Sequence, residues 1–158
     1  MTDPFDEIRE DRRKDREGKE QEQNKREQAR KQEERRRAAA DANFEAQVKE
    51  VGAVINAVLE EFARACFGED EYFFYPMSQH GALARAIVSG EDVGFFIEIS
   101  ADESGYISQF HVGRKKHVDF VEYGLECTDD MLPRNSGKED FEAALVRSYK
   151  EHREDPLR

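Results

Sequence analysis

The chain has 158 residues, with 25 lysines and arginines against 36 aspartates and glutamates and a formal charge of −11. Charged residues make up 39% and the apolar set only 37%, which excludes one compact domain running from end to end. No stretch approaches the roughly 18 to 20 consecutive apolar residues of a membrane-spanning helix, and the start MTDPFDEIREDRRK is charged, so a cytoplasmic protein with no membrane partner is expected.

Residues 1–43 hold 13 acids and 13 bases, so the 23 acids and 12 bases of residues 44–158 carry the whole −11. Residues 9–37 contain no valine, isoleucine, leucine, methionine or aromatic side chain and cannot build a core. The boundary therefore falls between Ala38 and Asn43, giving a charged, partly helical or disordered arm (1–43) and a compact acidic domain (44–158). Acid-to-base steps of four at Glu10/Lys14, Asp15/Lys19, Glu22/Arg26, Glu27/Lys31 and Glu33/Arg37 support helix in the arm. Each is worth roughly 0.2–0.5 kcal/mol, against about 1 kcal/mol lost at Gly18. The missing apolar seam excludes a coiled coil.

Residues 25–37 of the arm carry seven bases and three acids, and Arg35, Arg36 and Arg37 are the candidate cations for docking on a partner protein. Interleaved carboxylates and the lack of any aromatic for stacking make nucleic-acid binding there weak and unspecific.

In the domain, Phe44, Val48, Val51, Ile55, Val58, Leu59, Phe62 and Cys66 recur at steps of three and four, predicting a helix that Gly68 stops. The alanines before it allow the helix to run on into the arm. The stripe is expected to pack on the protein's own sheet, with a homo-oligomer seam as the alternative.

After Gly68 the period changes to two. YFFYPMS (72–78) reads as an edge strand because Pro76 cannot donate to a ladder, with Tyr72 and Phe74 as candidate partner-binding aromatics. ALARAIVS (82–89) and VGFFIEIS (93–100) follow, the latter burying Val93, Phe95, Ile97 and Ile99 on one face. ADESG closes a hairpin onto 106–112, where Tyr106, Ser108, Phe110 and Val112 share a face, and GRKK reads as a turn before a further strand over 117–127. Residues 128–137 read as a loop, and Ser136 with Glu139 has capping-box spacing ahead of a helix over 137–152. The fold class is α+β: a charged helical extension, a helix, four or five antiparallel strands and a C-terminal helix. In element order the domain resembles the small acidic secretion chaperones, which clamp unfolded partners.

Catalytic patterns are missing: no G-x-S-x-G is present, and NSGK (135–138) lacks the first glycine of a phosphate loop. Cys66 and Cys127 make no zinc motif and read as small buried hydrophobes. His111 and His117 bracket VGRKK, where adjacent cations oppose a metal, so neither metal nor cofactor is expected. Glu98 lies mid-strand, and the lysine two residues on that a nuclease core would need is replaced by Ser100. Arg114, Lys115 and Lys116 form the domain's densest positive cluster and are candidates for touching an acidic protein surface or phosphate.

These readings favour a non-enzymatic protein-interaction module, adaptor or chaperone-like, since its acidic field repels nucleic acid and steers basic partners. One alternative is an acidic inhibitor that imitates nucleic acid. The other is a small enzyme with a pocket near the sheet where Glu98, His111 or His117 converge.

Overall fold

The computed structural model describes residues 3–68, 71–116 and 128–154, and the chain divides into two units, Met1–Ala39 and Ala40–Arg158. Helix α1 (Asp6–Phe67) supplies nearly all of the described first unit and the opening helix of the second.

The first unit is helical without a core, so its order comes from local bonds. Asp3 caps it: a side-chain oxygen accepts the Phe5 N–H at 2.9 Å, and its backbone carbonyl accepts the Asp6 N–H at 3.0 Å. Arg9 then closes on Asp3 at 2.7 Å and on Asp6 at 3.1 Å. Three pairs form at the expected step of four: Glu22–Arg26 at 2.7 Å, Glu27–Lys31 at 3.4 Å and Glu33–Arg37 at 3.2 Å. Arg13 reaches Glu10 and Arg36 reaches Glu33 at a step of three. The helix passes through Gly18 without a break.

Two carboxyls of this unit sit below the usual range. Asp3 is lowered by the Phe5 N–H and then by Arg9, and Glu33 by its hydrogen bond from Arg36. A depressed folded pKa stabilises above the ordinary carboxylate value, and the stabilisation is lost as pH falls through the lowered one. A peptide spanning residues 1–39 is therefore expected to lose helical circular dichroism between about pH 5 and about pH 2. An unchanged signal across that window would show that these pairs do not hold the helix.

In the second unit α1 is followed by β1 (Tyr72–Tyr75), β2 (Gly81–Val88), β3 (Glu91–Ala101), β4 (Ile107–Lys116), β5 (Thr128–Pro133) and α2 (Lys138–Glu154). The strands pair in chain order, all antiparallel, as short connections require. This is an α+β fold with both helices on one face of a meander. Gly68, at φ +61°, ends α1.

The core lies between helices and sheet. From α1 it takes Ile55, Val58, Leu59, Ala63 and Phe67, so the stripe packs on the protein's own sheet. Ala82, Ala84 and Ala86 of β2 and Val93, Phe95 and Ile97 of β3 meet it. Phe62 meets Phe95 edge-on at 5.0 Å, and Phe141 of α2 meets Phe110 in the same way at 4.9 Å. Asn56 of α1 accepts the Met77 N–H at 2.6 Å, tying the helix to the chain just beyond β1.

A second tie joins α1 to the β3–β4 hairpin. Asn43 donates to the Ser104 carbonyl at 3.1 Å, and Gln47 donates to the Gly105 carbonyl at 3.1 Å while accepting the Ile107 N–H at 2.8 Å. Asn43 thus clamps the hairpin from inside the helix.

Four local expectations change. GRKK is not a turn: β4 continues to Lys116 because the eleven-residue β3 offers it a partner along that length. Thr128–Pro133 is strand β5, not loop; TDDMLP has little strand propensity, but pairing with β4 and the packing of Leu132 against the core override it. The β3–β4 register shifts at Ser100/Ala101, which turns Ile107 inward while Tyr106 stays half-exposed. At α2 the capping contact slides by one residue: Asp140 accepts the Gly137 N–H at 2.8 Å, and the Ser136 hydroxyl donates to the Pro133 carbonyl at 2.7 Å. The strand expected over 117–127, with His117 and Cys127, lies outside the described residues.

Candidate partner-binding surface

Strand alternation assigns every second residue to the face away from the helices. Registers place Phe73, Arg85, Gly94 and Lys115 in one row of that open face, Tyr75, Leu83, Phe96 and Gly113 in the next, and Gly81, Glu98, His111 and Met131 beyond.

The β1–β2 end of this face is apolar and open to solvent. Phe73 is 54% exposed, Tyr75 37% and Ile87 64%. Strand β1 is the sheet's edge. Its other side chains, Tyr72 and Phe74, are half-buried against the core, Tyr72 stacking on Phe67 at 6.0 Å. Of the strand's aromatics, Tyr72 and Phe74 therefore face inward and Phe73 and Tyr75 outward.

The polar side chains in the middle of the face bond one another around Phe96, which is 2% exposed. Lys115 pairs with Glu98 at 2.9 Å and lies 4.7 Å from the centre of the Phe96 ring. Arg85 approaches Asp92 at 3.6 Å. Arg114 points the other way, opposite Phe95, and is only 5% exposed. The cations at 114 and 115 therefore alternate between faces and form no shared patch; Lys116 stands opposite Val93 at the strand's end. In the arm, Arg36 and Arg37 bond Glu33, and all three candidate arginines there are exposed.

A hollow of about 440 Å³ is lined by Gln79, His80, Glu98, Ser100, Gln109 and His111. Glu98 and His111 do converge, directly opposite each other in register. The Gln109 side-chain nitrogen lies 3.1 Å from His111 Nε2, and the Ser100 hydroxyl lies 3.0 Å from the same atom. Among the described residues no group of three or more His, Cys, Asp or Glu side chains is placed to hold a metal ion. Burial pushes the Cys66 thiol up to about 11, so it stays protonated near neutrality.

No described helix is long and apolar enough to cross a membrane. Fold and surface together define an α+β domain whose sheet face away from the described helices ends in an exposed aromatic edge. Comparison with protein-family models, with curated proteins and with solved structures gives no match for the chain.

Proposed function

We propose that the protein is a non-enzymatic interaction module, adaptor or chaperone-like, that recognises another protein through the β1–β2 end of its open sheet face. The observation that carries this reading is the exposure of Phe73 and Tyr75 on edge strand β1, with Ile87 diagonal to Phe73 on β2, on a face that no described helix covers. Scattered apolar side chains on a surface are ordinary, but three on the outward side of the two strands at one sheet edge offer an apolar contact for a partner.

The double variant Phe73→Ser, Ile87→Ser tests it. Both side chains are exposed, so the melting midpoint is expected to stay within about 2 °C of wild type. Partner retained by the wild-type chain in a pull-down is expected to fall about tenfold or more. Undiminished retention by the folded variant would rule this surface out.

A further inference from the structure

We infer that the occupant of this surface is an extended basic peptide segment that adds to the sheet as a further strand beside β1, an inference that rests on the interaction-module reading above. Because β1 is an edge, a strand laid along it would continue the meander, and its alternate side chains would stand beside Phe73 and Tyr75. Pro76 follows β1 directly, limiting the paired length to about the strand's four residues.

Charge selects the occupant. Residues 44–158 hold 23 acids against 12 bases. Asn56 bonds Met77 beyond one end of β1, and Phe67 stacks on Tyr72 at the other, so α1 runs along the strand. Glu60, one turn on from Asn56 on that side, is exposed, as is Glu71 just before the strand. The open-face cations Arg85 and Lys115 face Asp92 and Glu98. Exposed Arg64, a further turn along α1, offsets Glu60, so the bias at the edge comes from Glu71 and the domain's net −11; it disfavours a second copy with the same charge and a nucleic acid alike, and favours lysine- and arginine-bearing strands.

The probe is a fluorescein-labelled short peptide of alternating lysine and valine, titrated into the full chain by fluorescence anisotropy. Three comparison peptides are used: alternating glutamate and valine, and the lysine–valine peptide N-methylated on all its valines or on all its lysines. N-methylation removes the N–H donors of one edge, and strand addition engages only one edge. The expected result is saturable binding that weakens about tenfold with glutamate, and about tenfold with one N-methylated form but not the other. Slower amide exchange within Tyr72–Tyr75 on binding is expected as well. Equal effects of the two N-methylated forms overturn strand addition, and equal binding of the glutamate peptide overturns the charge preference. Failure of every peptide to bind overturns the inference alone, since the serine double variant judges the surface independently of any peptide.

Discussion

Replacing Ile55 with aspartate is expected to abolish the cooperative folding of the second unit. Ile55 is fully buried in the α1 stripe, and its neighbours along that stripe, Leu59 and Ala63, are equally inaccessible. The substitution removes the isoleucine's packing, worth about 2–5 kcal/mol at such sites. It also places a carboxyl among apolar side chains; the group must either enter charged, which is costlier still, or shift its pKa and enter neutral and unbonded. Together these approach the roughly 5–15 kcal/mol that holds a domain of this size together. Thermal melts followed by circular dichroism decide it: a sharp transition within about 5 °C of wild type would mean that the stripe is not the core.

The second large effect is expected at Gly105, in the β3–β4 hairpin. Its φ of +83° lies in the left-handed region, and a β-carbon there would stand 1.9 Å from the Ala40 carbonyl oxygen of α1. Both are backbone positions, so no side chain can swing aside. Gly105→Ala is expected to cost about 1–2 kcal/mol for the conformation alone. The hairpin must also move from the helix, straining the bonds made by Asn43 and Gln47, each worth about 0.5–1.5 kcal/mol. A total of about 3 kcal/mol or more follows, read as a lower urea midpoint with an unchanged slope. Gly90→Ala is the informative comparison. At φ +81° it has similar backbone strain but nothing within 4 Å of the added carbon, so it isolates the clash. Equal losses in the two variants would mean that the approach of α1 to the hairpin contributes nothing.

The parts of this fold written in a strong period were legible before any coordinates. The stripe from Phe44 to Cys66 identified α1, and the alternation in VGFFIEIS identified β3, because one buried face imposes its spacing on the sequence. Where tertiary pairing overrides local preference the sequence misleads. TDDMLP looks like a loop and GRKK like a turn, yet each is held extended by a neighbouring strand. Which aromatics of β1 face outward was not legible for a related reason. YFFY has an aromatic residue in both phases, so composition cannot say which pair faces out. The phase comes from β2, where Ala82, Ala84 and Ala86 face the helices and leave Leu83, Arg85 and Ile87 on the other side. Bonds such as Gln47 to the hairpin, between residues about sixty apart, leave no local pattern at all.

The brevity of β1 also bears on how the protein behaves when crowded. An exposed aromatic edge is a template for runaway self-stacking, and long, flat edges are where fibrils begin. Here the template runs out after four residues, at a proline that cannot continue the hydrogen-bond pattern, and every additional copy brings a charge of −11 to the stack. A short rung and mutual repulsion let the chain keep a sticky strip in the open without seeding aggregates of itself.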